Sequence, residues 1–294
     1  MLNEVININP TSHSLPSPPA LACGIFCTKA LSRDAPPTHR AVPMEMLRSA
    51  LTQLTSDWAR SSFTRRSAGL PGLICKIVAS EPGGRPRTLL PLALETLLEC
   101  ADAKVDPNMA EQDDTEDCTS SHALHVLRSL VQDAVIAKDL DPQIACIAKV
   151  CLSSFDSPSW AVRNAALQLF GALALRVVGQ VKVRDEEGQV FNRVELTQVE
   201  ARLPGLLQLL LDRVVKDIGA QGKEEENLKN ERSKSSIQGQ LVDPALLPIL
   251  TILARIESRP SCKVAPALAS AVSKHSDSPV ARVNILEKFT KMRL

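Results

Sequence analysis

The chain has 294 residues, of which 44% are apolar and only 3% aromatic, with no tyrosine, and its formal net charge is +1. Near-neutrality excludes a global field for nucleic acid or for an anionic membrane, so any basic surface is local. Abundant Leu, Ala and Val with so few aromatics favours helices over a sheet sandwich. Residues 1–40, rich in Pro, Ser and Thr and without period, read as a disordered segment. From residue 41 a helical pattern begins: Pro43 suits a helix start, and Met44, Leu47, Leu51 and Leu54 share a face. Residues 58–80 contain Thr64-Arg65-Arg66-Ser67-Ala68-Gly69-Leu70-Pro71-Gly72-Leu73. A proline inside a helical pattern frees the carbonyl four residues back, so a kinked or interrupted helix is expected there, with Gly69 and Gly72 permitting close backbone approach.

Residues 81–87 are a Pro/Gly loop, 89–98 an apolar helix, and 102–117 an exposed acidic loop. A helix is expected over 121–137, with Leu127, Leu130, Val131, Ala134 and Val135 in register. Asp141-Pro142 opens the next helix. The stretch 155–175 has a marked beginning, with Ser157 as N-cap and Pro158 at the first helical position. Val162, Ala165, Ala166, Leu169, Phe170, Leu173 and Ala174 then form one apolar face. After Gly179 comes a charged loop to Arg193, then a proline-opened helix over 203–215, a solvated linker over 221–240 and a last helical pair over 241–294.

One unit recurs. Asp156-Ser-Pro with Arg163 to Phe170 returns as Asp277-Ser-Pro with Arg282 to Phe289, and more loosely as Arg66 to Leu73. Recurrence at wide spacing marks a helical array in which each unit buries its face on its neighbours. The grammar resembles HEAT/armadillo repeats, so the expected fold is all-α, a HEAT/armadillo-like α-solenoid, with the chain a fragment of a longer array. Asp156, Trp160, Arg163, Asn164 and Arg282 are then repeat positions, Trp160 packing on the preceding helix and Arg163 taking the place of a ladder arginine. Eight scattered cysteines without a Cys-x-x-Cys pair read as buried free thiols in a reducing compartment. With no basic leader and no membrane span in the sequence pattern, a cytoplasmic location is expected.

Three separated motifs occur in one order: Arg65-Arg-Ser-Ala-Gly-Leu-Pro71, His122-Ala-Leu-His-Val-Leu-Arg128 and Ser157-Pro-Ser-Trp-Ala-Val-Arg-Asn164. Over residues 42–215 they resemble the central region of the thyroid adenoma-associated protein (THADA) family, which includes the regulatory subunit of a tRNA ribose methyltransferase. The resemblance implies a scaffold without chemistry of its own or cofactor, directing an FtsJ-like, S-adenosylmethionine-dependent enzyme to a 2'-O-ribose in the tRNA anticodon loop. The helical-repeat domain over 41–220 would carry that role.

Arg65, Arg66, Ser67, Gly69, Leu70 and Pro71 are the candidate contact for RNA phosphates or an acidic enzyme surface; alternatively Arg66 bridges to an Asp of the neighbouring repeat. Lys182 and Arg184, with Arg193, are a candidate basic patch. Trp160 and Arg163 have a base-stacking alternative, and His122 with His125 lacks a third ligand for a metal. No Gly-x-x-x-x-Gly-Lys, Gly-x-Gly-x-x-Gly or Gly-x-Ser-x-Gly occurs, so no catalytic, cofactor or metal residue is assigned. DNA is not an expected partner. The alternative to the tRNA role is a protein-interaction solenoid without RNA, such as a regulator of a membrane pump or trafficking factor.

Overall fold

The computed structural model describes residues 18–55, 69–84, 86–103, 119–179, 194–214 and 246–257. They form helices throughout, apart from one two-residue parallel pairing of β1 (Val194–Glu195) with β2 (Ile256–Glu257). The fold is all-α, of the helical-repeat class, and the chain divides into a unit of residues 1–103 and 116–136 and a unit of residues 104–115 and 137–294.

The first unit contains α1 (Pro18–Ala30), α2 (Pro37–Arg40), α3 (Val42–Thr55), α4 (Leu70–Ala79), α5 (Leu89–Asp102) and α6 (Thr119–Gln132). Helix α4 is its centre, packed on α1, α3, α5 and α6. Ile74, Ile77 and Val78 of α4 are buried with Leu47, Leu51 and Leu54 of α3, Leu94 and Leu97 of α5, and Leu124, Leu127 and Leu130 of α6. Each such side chain contributes about 2 kcal/mol by leaving water, which is what holds these short helices in place.

Helix α1 corrects the expectation of disorder up to residue 40; of that segment, residues 1–17 lie outside the described residues. Its apolar side chains run all the way round the helix, so no period betrays it: Ala20, Gly24, Cys27 and Ala30 are buried, Leu21, Ile25 and Phe26 exposed. Gly24 allows the close approach that was expected at Gly72. A Cβ at Gly24 would lie 3.1 Å from Lys76 Cβ and 3.4 Å from the Lys76 carbonyl, whereas one at Gly72 would meet only Ala20 Cβ, at 3.9 Å.

Helix α6 ends at Gln132, five residues before its expected end. The Val135 amide donates to Asp133 Oδ1 at 2.8 Å, and this side-chain turn competes with the helical ladder. Val135 is consequently exposed and Ile136 buried, against the expected register.

The second unit contains α7 (Ala137–Leu140), a 3₁₀ turn (Asp141–Gln143), α8 (Ile144–Ser154), α9 (Trp160–Val178), α10 (Leu196–Arg202), α11 (206–214) and α12 (Leu246–Arg255). Helix α9 buries the expected stripe from Val162 through Leu173, and Ala174 stays half-buried. Phe170 meets Phe155 edge-on, with centroids 6.0 Å apart. By length and composition α9 could cross a membrane, but more than half of it is buried inside this unit, as for a core helix. It stops at Gly179, whose φ of +71° suits glycine and whose amide donates to the Leu175 carbonyl at 2.9 Å.

Two boundaries shift. Helix α9 begins at Trp160 with Ser159 as N-cap, two residues beyond the expected start, because Ser157 Oγ accepts the Ser159 amide in a turn of its own. The helix expected over 203–215 begins at 206: Leu203 closes α10 and Gly205 turns the chain at φ +79°. The linker over 221–240 and most of the last pair, Arg282 included, lie outside the described residues.

Candidate functional site

The expected contact turn enters the described residues at Gly69. Gly69 precedes α4 in an ordinary right-handed conformation (φ −85°, ψ −20°), and the Leu73 amide donates to its carbonyl at 2.9 Å. Leu70 and Pro71 fill the first turn of α4, where the missing proline donor costs nothing. The described structure thus places Pro71 at a helix start and not inside one. Gly69, Leu70 and Pro71 are half-buried, so this turn presents part of its surface. Arg65, Arg66 and Ser67, like Lys182, Arg184 and Arg193, lie outside the described residues.

Below this turn α4 is anchored by polar contacts the sequence did not announce. Lys76 Nζ donates to Asp133 Oδ2 at 2.9 Å, and Cys75 Sγ reaches the same oxygen at 3.5 Å. Burial works to raise the Asp133 pKa, but the Lys76 hydrogen bond and charge, the Val135 amide and the Cys75 thiol together bring it below the usual carboxylate value. Burial, with the Asp133 charge adding to it, pushes Cys75 up to about 12. Burial likewise pushes Cys27 to about 12 and raises Cys151. These thiols stay protonated and are poor nucleophiles. Cys23 and Cys100 are half-buried, and Cys146 is exposed, against the expectation of burial; Cys118 and Cys262 lie outside the described residues. No disulfide joins the described cysteines.

His122 is buried on α6 and held to a pKa of about 3, by desolvation first and the nearby His125 second. Among the described residues no three His, Cys, Asp or Glu side chains are grouped to hold a metal.

In the second unit the repeat positions have other partners than expected. Asp156 takes a two-pronged grip from Arg213, with Nη1 to Oδ2 at 2.7 Å and Nη2 to Oδ1 at 2.6 Å. Asp141 accepts Arg176 Nη2 at 2.7 Å and lies 3.8 Å from Arg202 Nε, while Arg176 also donates to the Ala137 carbonyl. Arg163, expected as a ladder arginine, instead donates to the carbonyls of Ser157 and Pro158 at 2.8 and 2.6 Å, tying down its own turn. Trp160 is 57% exposed rather than packed on the preceding helix, and Asn164 is half-buried. Local spacing does not identify Arg176 and Arg213, because their carboxylates lie 35 and 57 positions away.

Among these groups Cys75 and Asp133 bring a thiol to a carboxylate, and burial keeps that thiol protonated and unreactive. The arrangement is that of a packed scaffold with an anchored, partly exposed helix start.

Comparison with known proteins points the same way. A family described as "THADA/TRM732, DUF2428" matches residues 20–161, and one described as "Trm732, C-terminal TPR repeats" matches residues 163–285. The Gallus gallus protein named "tRNA (32-2'-O)-methyltransferase regulator THADA" is 30% identical over 270 residues, 90% of this chain and 13% of the relative. The Mus musculus protein of that name is 32% identical over 189 residues, 64% of this chain and 9% of the relative. The Drosophila melanogaster one is 28% identical over 153 residues, 50% of this chain and 8% of the relative. The chain therefore spans 13% or less of the length of these relatives. No solved structure matches it.

Proposed function

The chain belongs to the THADA family, and from that membership we propose that it is a non-catalytic regulatory segment acting in tRNA 2'-O-ribose methylation. The observation that carries this is the match to THADA-family domains along both units, in relatives named as regulators of a tRNA methyltransferase. Its partner is an FtsJ-like enzyme using S-adenosylmethionine, and its target the anticodon loop of tRNA. Arg65, Arg66 and the Gly69–Pro71 turn form the contact, supported by the anchoring of α4 through Lys76 and Asp133. A scaffold of this kind accelerates methylation by holding enzyme and ribose in register, an entropic contribution that needs no reactive group of its own. Its site of action is the cytoplasm, a reducing compartment in which the free cysteines among the described residues would stay free.

The test is anticodon-loop ribose methylation assayed with this chain alone, with an FtsJ-like methyltransferase alone, and with both. The expected result is methylation by the pair well above that of the enzyme alone, and none by the chain alone. Activity of the chain alone, or no gain on adding it, overturns the proposal. Arg65→Ala with Arg66→Ala should remove the gain while leaving the far-ultraviolet circular dichroism intact.

A protein-interaction solenoid without an RNA role is the alternative favoured by the near-zero charge and few aromatics. Absence of tRNA binding at low salt would select it; steep salt dependence would reject it.

A further inference from the structure

A second surface of the first unit is not used by the contact turn. Beyond α1 the chain turns through residues 31–36 into α2, and this turn borders a cleft of about 310 Å³ shared with the loop after α4. Ser32, Arg33 and Arg40 line one side, and Glu81, Pro82 and Pro86 the other. Arg40 Nη2 donates to the Arg33 carbonyl at 3.0 Å, which fixes the turn between the two cations. Lys29, in the last turn of α1, Arg33 and Arg40 are all exposed. Among the described residues no ion pair engages any of the three.

The carboxylate on the wall does not neutralise them. Glu81 is buried and accepts the Thr88 amide and hydroxyl through Oε1, both at 2.8 Å, and the Leu89 amide through Oε2 at 3.0 Å. It is thereby committed to the start of α5. Asp34 is the remaining carboxylate on the turn, so the exposed side chains from residue 29 to residue 40 include three Lys or Arg cations and one carboxylate, with Arg33 and Arg40 on the cleft itself. Pro82 and Pro86 stiffen one wall, which lowers the ordering cost of binding.

The geometry points to this cleft as a site for the phosphodiester backbone of a structured RNA, with Arg33 and Arg40 gripping phosphate and Ser32 donating beside them. This rests on the tRNA-linked role proposed above. Guanidinium forks match phosphate oxygens in pairs, and a hydroxyl is a common third donor. An acidic protein surface is the other outcome the experiment separates: its carboxylates would pair with the same guanidiniums, but without the continuous run of charge that a phosphate backbone offers.

The experiment measures binding of transcribed tRNA to the full chain across a salt series, by fluorescence anisotropy. Arg33→Ala with Arg40→Ala should weaken binding about tenfold at low salt and make the slope of log affinity against log salt shallower by about 1 to 2, as two lost phosphate contacts require. Arg33→Lys with Arg40→Lys keeps the charge and should keep most of the slope, which separates lost contacts from misfolding. Unchanged affinity and slope in the double alanine variant overturn the assignment. So does unchanged tRNA binding with weakened binding to the methyltransferase, which would give the cleft to an acidic protein surface. If the wild-type chain binds tRNA through this cleft but adds nothing to methylation, the regulatory role fails while the cleft assignment stands.

Discussion

Lys76 and Asp133 meet across 2.9 Å with the carboxylate side chain only 8% exposed and the ammonium 29%. The same carboxylate stops α6 and anchors α4. Because its pKa in the folded chain lies below its ordinary value of 3.8, the folded state binds the acid proton less readily than the unfolded chain. The stabilisation is therefore fully present above pH 3.8 and is lost as pH falls through the lower folded value. Asp133→Asn should cost about 1–3 kcal/mol at pH 7 and flatten the acid limb of stability against pH, read by urea unfolding followed by circular dichroism.

His122 titrates in the opposite sense to a salt-bridged histidine. Held to about 3 against an ordinary 6.5, it excludes a proton that the unfolded chain accepts. Stability should fall as pH drops from about 6.5 toward 3, by about 1.4 kcal/mol for each pH unit well below 6.5. Histidine resonances followed by NMR should show one imidazole still neutral at pH 5, and the resonance missing in His122→Gln should be that one. A His122 midpoint near 6.5 would contradict the burial described.

Glu81 supplies the cap that Thr88, at the N-cap position of α5, does not provide with its own side chain. Removal in Glu81→Ala leaves the first amides of α5 without a buried acceptor and should cost about 1–2 kcal/mol. Hydrogen exchange localises the effect: protection should drop first at Thr88 and Leu89, whose amides Glu81 accepts, and a uniform drop over the unit would argue against a local cap.

Arg213 and Asp156 offer a test of pairing across 57 positions. The guanidinium side chain is 9% exposed and the carboxylate 52%, so solvent screens one partner and not the other. Asp156→Ala should lower the stability of the second unit by about 1–2 kcal/mol. A double-mutant cycle with Arg213→Ala should return a coupling of about 1 kcal/mol; a coupling near zero would make the pair incidental.

Legibility in the sequence followed the range of the forces. The buried stripe of α9, its glycine stop and the apolar faces of α3 and α5 rest on three- and four-residue spacing, which any reader of the chain can count. Helix α1 was hidden because a helix apolar all round has no period and because prolines and serines surround it. The end of α6 was hidden because a single aspartate side chain outbids the helical ladder at Asp133. At the candidate site, local pattern drew attention to Gly69, Leu70 and Pro71 but not to the anchor of the helix they open, since Asp133 lies 57 positions beyond Lys76. The same blindness applies to Arg176 and Arg213, while Arg163 was assigned a distant partner and found a near one.

Gly83 and Gly84, with open space where side chains would go, and the four residues from Asp133 to Ile136 tolerate change in chain length very differently. An added residue at the glycines enlarges a loop and disturbs little. One added between Asp133 and Val135 swings the carboxylate away from either its amide or its ammonium, so the docking helix slackens along with the bend that ended its neighbour. Insertions and deletions should accordingly be accepted at the first place and purged at the second, even though both are short connections between helices.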